Sequence, residues 1–446
     1  MKKVLLLFVG MYVVCCGYTQ DSTFVSMSKK ISLHWQATII PQFHFNFNPP
    51  YSGNNSVSPS EPAATSFTST LFINYKVARN TNMVFNPEAA GGKAISKTQG
   101  IAGFPNGETY RIGESNIKPF IARLYVEQRF GLTNKSENIE DDENQIKETT
   151  HRDYISVIAG KFSLTDFFNA SEISHDPRTQ FLNWSIMGSG AWDYPANTRG
   201  YTMGAIIQAK YNLLSLKYAN VAMPTTANGP NLQWKGQDVM GQVLELSANQ
   251  FSLFKLNKMH VFYHNLFLGL TSNRANMGNY DSSIAIAKRT NIAPDITDSR
   301  QFGRTKNGYY ATLDNTIDNF HLFVKYSKND GKNETYAFTE IDESLATGIQ
   351  LDGAIWKRKD DVLGISIVKN DISNDHRTYL SDGGYGFIIG DGKLNYFSEK
   401  IFEAYYLYQP SQQLALTADY QYVQNPAYNK DRGPIQLIAI RLHLTL

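Results

Sequence analysis

Polar and aromatic side chains are concentrated in one stretch of the chain, residues 176–200. The stretch contains two tryptophans together with carboxylate, amide and guanidinium groups. Aromatic faces stack on the apolar C–H side of a sugar ring, and such polar groups hydrogen-bond its hydroxyls. The residues that we expect to contact a solute are Arg178, Asn183, Trp184, Trp192, Asp193 and Arg199. The alternative left open is a packed loop that only narrows a channel.

Ionisable and polar residues inside predicted strands form a second group of candidates. Residues at even spacing share one face of a strand. Three such sets are present: Arg123, Glu127 and Arg129; Asp419 and Gln421; and Arg441 with His443. Mixed-sign charge of this kind suits both solute contact and an internal salt-bridge network that supports a wall, so both roles stay open.

Signatures of catalysis are mostly absent. The sequence contains no H-E-x-x-H zinc motif, no G-x-x-x-x-G-K-[ST] phosphate loop and no G-x-S-x-G nucleophile elbow. Nothing marks the serine and histidine that a lipid-modifying barrel enzyme would need. We therefore predict no enzyme activity, no catalytic residue, no cofactor and no bound metal.

The first residues predict export from the cytoplasm. A short basic region, residues 1–3, precedes an apolar run at residues 4–16, which is too short to span a bilayer as a helix. We assign residues 1–19 as a cleaved signal peptide and residues 20–446 as a single barrel domain. Cys15 and Cys16 both lie in the signal peptide, so the mature chain would carry no thiol. Acylation of Cys16 is the alternative, but it would need a small residue in place of Cys15.

Composition excludes two broad classes of protein. Tyrosine and phenylalanine number 26 each, the net charge is +2, and the mean hydropathy is −0.34. After the leader, the sequence offers no run of about eighteen apolar residues, which excludes a helical membrane protein. The balanced charge, without a basic patch, argues against a nucleic-acid partner.

Strict alternation of apolar and polar residues is the strongest signal of secondary structure. In residues 31–39 the odd positions are apolar and the even ones polar, and the pattern recurs at residues 201–211, 414–422 and 438–446. The first eight predicted strands cover residues 31–45, 66–77, 82–91, 119–132, 153–162, 200–211, 214–222 and 239–248. The second eight cover residues 258–268, 308–316, 320–327, 344–354, 361–370, 400–409, 414–423 and 434–446.

The strand count and the connections favour a transmembrane antiparallel β-barrel of about 16 strands. The predicted segments have the length that crosses a membrane at a tilt, and short turns alternate with long connections. One connection, residues 133–152, is an acidic insertion where a short periplasmic turn is expected; we interpret it as a solvated, mobile loop rather than a cation site. Closure requires the last strand to pair with the first, and charged strand residues should face the lumen because lipid disfavours them.

Several short segments, taken together in order, resemble the carbohydrate-selective porin family of the OprB type. They are residues 51–56, 85–88, 103–108, 160–162, 425–429 and 431–434, together with the loop at residues 176–200. The resemblance implies a sixteen-stranded barrel in the outer membrane of a Gram-negative bacterium, with a pore narrowed by inward loops. It also implies passive, selective diffusion of monosaccharides such as glucose.

The expected partners follow from this interpretation. They are small sugars as solutes, outer-membrane lipid and the barrel-assembly machinery, and a homo-oligomer stays open. Two alternatives remain at this stage. One is a general porin of different selectivity, and the other is a barrel with a closed lumen whose loops act as an adhesin or assembly platform.

Overall fold

The computed structural model describes residues 30–109, 115–251, 255–256, 260–261 and 263–446, and it is a closed antiparallel barrel of sixteen strands. The first eight strands are β1 Ile31–His44, β2 Ala64–Ala78, β3 Thr81–Gly92, β4 Lys118–Gly131, β5 Tyr154–Phe162, β6 Thr202–Tyr211, β7 Leu214–Val221 and β8 Met240–Phe251. The second eight are β9 Tyr263–Met277, β10 Gln301–Ile317, β11 Phe320–Asn329, β12 Glu343–Asp352, β13 Val362–Asp371, β14 Glu399–Ser411, β15 Leu414–Gln424 and β16 Ile435–Thr445. The predicted signal peptide, residues 1–19, lies outside the described residues.

Closure of the barrel pairs its first strand with its last. Gln36 on β1 is opposite Thr445 on β16, and the ladder runs on to His44 opposite Leu437. Every other barrel strand pairs with its neighbours in sequence order, so the sheet has no free edge. The side-chain pattern follows: Leu33 is 61 % exposed on the outer face, whereas Gln36 is 4 % exposed on the inner face. The predicted fold class is therefore confirmed.

Two strands are longer than the sequence pattern indicates. β9 extends to Met277 and β10 begins at Gln301, whereas alternation predicts strands only over residues 258–268 and 308–316. Beyond residue 270 polar residues occur on both faces, so periodicity no longer marks a strand. The hydrogen-bonded ladder nevertheless continues, with Arg274 opposite Thr305.

Short turns join the strands at one end of the barrel, as predicted. Asn80, Asn212 and Asp318 take left-handed backbone conformations there, with φ of 60°, 56° and 51°. Asparagine and aspartate adopt this region more readily than most other non-glycine residues. The short predicted turns are confirmed, and this end of the barrel is the periplasmic one by comparison with the general pattern of such barrels.

The acidic insertion is not the solvated loop that its composition indicates. It forms a hairpin of two short strands, Ser136–Ile139 and Glu148–His151, with Ser136 opposite His151 and Ile139 opposite Glu148. Its tip accepts hydrogen bonds from lumen-facing residues of β2 and β3, through the backbone carbonyl of Glu143 and the side chain of Asn144. Hydrogen bonding to the inner wall therefore gives this connection a defined position that charge content alone does not predict. We call residues 136–151 the periplasmic hairpin.

The long connections carry the helices, and several connections enter the interior. The helices are α1 Trp184–Met187, α2 Tyr280–Thr290 and α3 Asn374–Ser381. Among the described residues, these helices are too short and too polar to cross a membrane. The connection at residues 163–201 enters the lumen, where Lys325 of β11 donates to the carbonyl oxygen of Ile186 at 2.7 Å. Residues 93–109 of the connection between β3 and β4 also enter, and Gln42 of β1 donates to the carbonyl oxygen of Pro105 at 3.1 Å.

Candidate pore constriction

A cavity of about 720 Å³ lies inside the barrel, between one part of the wall and the inserted loop. Its wall side is formed by residues of β1 to β6, and its opposite side by residues 163–201 and by Phe338. The inserted loop also contacts strands of the far wall, where Gln350 of β12 donates to the Ile173 carbonyl oxygen and Lys325 of β11 donates to that of Ser174. The open space is therefore displaced towards β1 to β6.

Arg178 stands at the centre of the polar side of the cavity. Its Nε donates to the Glu108 carboxylate at 2.9 Å, and its Nη2 lies 3.5 Å from the Glu88 carboxylate. Its Nη1 donates to the side-chain oxygen of Gln36 once that amide is oriented to satisfy its neighbours. Tyr201 donates to Glu88 as well, at 3.2 Å. Wall and loop are thus joined by charge-assisted hydrogen bonds around one guanidinium group.

Two further arginines of β4 line the same cavity and are held by carboxylates. Arg123 forms a bidentate pair with Asp166 of the inserted loop, with Nε and Nη2 contacts of 2.7 and 2.6 Å. Arg129 pairs in the same way with Glu127, at 2.8 and 3.1 Å. Arg123 also stacks over the Tyr201 ring, 5.5 Å from its centroid. These contacts hold the guanidinium groups in fixed directions, as geometric recognition of hydroxyl groups requires.

Aromatic rings form the opposite side of the cavity. Trp184, at the start of α1, stacks on Tyr194 with ring centroids 5.8 Å apart, and Phe338 packs against both rings. Trp184 is 9 % exposed and borders the cavity. Asn183 places this tryptophan because its side chain caps α1 by accepting from the Ser185 amide at 3.0 Å. The cavity therefore has one apolar, aromatic side and one polar, charged side.

The ionised form of Asp176, a loop carboxylate at the cavity, is favoured in spite of its burial. Burial alone would raise the pKa of Asp176, but the Arg178 guanidinium and the Thr179 hydroxyl outweigh it and hold that pKa below its usual value. Arg178 itself has a raised pKa, because attraction by Glu108 and Glu88 outweighs the effect of burial. Among the residues that the structure describes, seven carboxylates and four guanidinium groups line the cavity, an excess of three negative charges when all are ionised.

The structure divides twelve of the thirteen sequence-predicted residues into two sets of six; the thirteenth, His443, is buried and does not line the cavity. The six that line the cavity are Arg123, Glu127, Arg129, Arg178, Trp184 and Arg199. The six that lie away from it are Asn183, Trp192, Asp193, Asp419, Gln421 and Arg441. In the first set, Arg199 lies over the Phe120 ring at 4.0 Å. Every residue of the second set is buried.

The buried set fixes the inserted loop to its surroundings. Arg441 donates to the carbonyl oxygens of Pro177 and Gln180, both at 2.7 Å. Gln421 accepts from Asn183 at 3.0 Å and is itself a donor to Asp419. These bonds satisfy polar groups that would otherwise be buried without partners.

Asp193 and Trp192 belong to the same anchoring region. The Asp193 carboxylate accepts backbone N–H groups from the segment 336–339, at 2.7 Å for Tyr336 and 2.7 Å for Phe338. Trp192 is 4 % exposed and packs against Tyr310, 5.1 Å between ring centroids. Asp193 and Trp192, which were expected to contact a solute, therefore contact other parts of the protein.

Sequence reasoning missed several residues of the cavity. Glu88 lies on β3 between Asn86 and Ala90, and all three share the lumen face, so alternation was a usable signal for it. Glu108 and Asp166 come from connections without periodicity, and only the fold brings them to Arg178 and Arg123. Among the described residues, no group of three or more His, Cys, Asp or Glu side chains is arranged to hold a metal ion.

Comparisons with known proteins agree with this architecture. Residues 55–446 match the description "Carbohydrate-selective porin, OprB family". The high-pH structure of Pseudomonas putida OprB superposes with a TM-score of 0.70 at 12 % identity, covering 95 % of this chain and 96 % of the other. Salmonella typhi OmpF, in complex with daunomycin, gives a TM-score of 0.49 at 9 % identity, covering 93 % and 97 %. Comparison with curated proteins gives no match.

The family match over residues 55–446, on a closed sixteen-stranded barrel, shows a porin of the Gram-negative outer membrane, a class of transport channels rather than enzymes. Within that class, the chain belongs to the carbohydrate-selective porin family, OprB. The family predicted from short sequence segments is confirmed.

Proposed function

We propose that this porin lets monosaccharides such as glucose diffuse passively through the cavity, without catalysis or a cofactor. The observation that carries the proposal is the two-sided cavity, with Trp184 and its aromatic neighbours facing Arg123 and Arg178. A pyranose has the matching character, since its C–H face is apolar and its rim carries hydroxyl groups. A channel also needs weak binding, so that the solute leaves as readily as it enters.

The six cavity-lining residues are the proposed solute contacts. Their guanidinium and carboxylate groups replace part of the hydration shell of the sugar, while Trp184 supplies a stacking surface. Asn183, Trp192, Asp193, Asp419, Gln421 and Arg441 are proposed to position the loop that carries Trp184 and Arg178. The excess of negative charge lining the cavity disfavours anions, so sugar phosphates should enter more slowly than neutral sugars.

Residues 1–19 are proposed as the export signal, and the outward apolar side chains as the surface in contact with outer-membrane lipid. Leu33 and Leu270, each 61 % exposed, are typical of that outward face. Insertion would then depend on the barrel-assembly machinery.

Replacing Trp184 by alanine tests the aromatic side of the cavity. We expect glucose to become a weaker blocker of the potassium current through single channels in planar bilayers, by about fivefold in half-blocking concentration, because stacking energy is lost. Trp356→Ala is the matched control, since Trp356 lies between β12 and β13 and contacts Tyr406 rather than the cavity. Equal changes in both variants would contradict the assignment of Trp184.

A further inference from the structure

The periplasmic hairpin enters the lumen and does not lie outside the barrel. Asn74 on β2 donates to the carbonyl oxygen of Glu143 at 3.0 Å, and Asn86 on β3 donates to the Asn144 side chain at 2.6 Å. Asn74 and Asn86 are buried on the inner face of the wall. Asn86 lies five residues from Thr81, the periplasmic start of β3, which is about 16 Å along a strand. The tip therefore reaches well into the barrel.

The stem of the hairpin is bound to the wall by ion pairs and hydrogen bonds. Lys76 of β2 pairs with Glu148 at 2.7 Å, and Asn82 of β3 donates to the same carboxylate at 2.8 Å. On the other side, Lys210 of β6 pairs with Glu137 at 3.0 Å. Lysines of the wall thus neutralise two carboxylates of the stem, and contacts on two sides of the hairpin hold it in place.

The tip contributes to the same constriction as Arg178. Residues 142–145 line the cavity described above. Gln36 connects the two, because its amide donates to Glu143 at 3.2 Å while its oxygen accepts from Arg178. The tip itself is a tight turn in which Asp142 and Gln145 exchange backbone hydrogen bonds of 3.1 Å. Glu143 is therefore presented to the cavity from the periplasmic side.

The charge of Glu143 depends on pH in the neutral range. Burial, together with repulsion by Asp176 and Asp142, outweighs attraction by Arg178 and Arg123 and raises the pKa of Glu143 to about 7. These are the charged groups that face it from the inserted loop, from the tip itself and from β4. A carboxylate that titrates near pH 7 changes the charge excess of the cavity over the range in which a channel is readily measured.

We propose that the periplasmic hairpin is an inner constriction of the channel, which limits solute size, and that Glu143 is a residue that determines its preference for cations over anions. The inference rests on the proposed solute path through the cavity. It goes beyond that path because it assigns a selectivity role to a periplasmic connection. Solutes leave the cavity past the hairpin tip, where the carboxylate of Glu143 repels anions.

Glu143→Gln tests the charge. Under a potassium chloride gradient near pH 8, we expect the cation-to-anion permeability ratio to fall by about twofold or more relative to the unmodified channel. Glu140→Gln is the matched control, because Glu140 lies in the same hairpin, is exposed and pairs with exposed Lys147. In the unmodified channel the ratio should also fall as the pH is lowered through about 7, and in Glu143→Gln that step should vanish. Identical ratios in the two variants would overturn the role of Glu143.

Removing the hairpin tests the size limit. Residues 133–152 are replaced by Asn-Gly, a pair suited to a tight turn between antiparallel strands. We expect conductance to rise by about twofold or more, and a trisaccharide to enter liposomes that exclude it with the unmodified channel. The double variant Asn74→Ala, Asn86→Ala releases the tip without deletion and should change both readouts in the same direction, which covers the case in which the deletion prevents folding. Unchanged conductance and size limit in a folded variant would overturn the proposal.

Failure of this inference differs from failure of the proposed function. Ion permeability and the size limit can be measured whether or not the channel prefers sugars. A channel with no preference for glucose, but with the expected response of Glu143→Gln, would overturn the sugar assignment and leave the role of the hairpin standing.

Discussion

Replacing Arg178 by alanine should reduce the preference of the channel for glucose over a neutral amino acid by about tenfold, the effect of one lost hydrogen bond from a charged group. Contacts to Glu88 and Gln36 of the wall and to Glu108 of a connection use three of the five N–H donors of this guanidinium, within the part of the chain that the structure describes. Those contacts fix the orientation of the guanidinium group and therefore of its remaining N–H donors, as a selective site requires. The measurement is the ratio of liposome swelling rates for the two solutes.

Arg358→Ala is the control for that prediction. Arg358 also forms a bidentate pair, with Asp361 at 2.9 and 3.1 Å, but lies in a periplasmic turn away from the cavity. It should leave the ratio unchanged. A solute preference that survives in Arg178→Ala, in a barrel shown to be folded, would remove Arg178 from the solute path.

Asp193→Asn should loosen the inserted loop and destabilise the protein by about 3 kcal/mol, because a buried carboxylate that accepts several backbone N–H groups is replaced by an amide that cannot accept them all. The N–H groups of Tyr336, Ala337 and Phe338 donate to it at 2.7 to 2.9 Å. Release of that segment would also withdraw Phe338 from Trp184. The measurement is the guanidinium midpoint of the β-sheet circular dichroism in detergent, with glucose preference as the second readout.

The matched variant is Asp360→Asn, since Asp360 is exposed in the turn that contains Arg358. It should have the midpoint of the unmodified protein. Loss of glucose preference without loss of stability in Asp193→Asn would contradict an anchoring role and indicate direct contact with the solute.

The barrel could be predicted from the sequence because successive residues of a membrane-spanning strand must face the lumen and the lipid alternately. Backbone pairing forces a period of two, so lumen and outer faces are distinguished by odd and even positions, as at Leu33 and Gln36. The same parity placed Arg123, Glu127 and Arg129 on the inner face. Where polar residues cover both faces, as beyond residue 270 in β9, the signal disappears although the strand continues.

The constriction could be predicted only in part. Trp184 and Trp192 are eight residues apart in one loop with similar neighbours, yet Trp184 borders the cavity and Trp192 packs against Tyr310. That difference comes from the path of the loop across the lumen, which is set by long-range contacts such as Arg441 to Pro177. The position of the periplasmic hairpin is also set by long-range contacts. Its acidic composition predicts exposure to solvent, whereas its residues bind to the inner wall of the barrel.

The central claim, a sugar-selective passage, is tested most directly by liposome swelling with the purified, folded protein. Glucose, a disaccharide, a neutral amino acid and a salt of similar size are compared at equal osmolarity. We expect glucose to enter the liposomes fastest and the disaccharide to enter more slowly because the cavity is narrow. Equal entry of glucose and the amino acid would instead indicate a general porin, and no entry of any solute would indicate a closed barrel; either result would contradict the account.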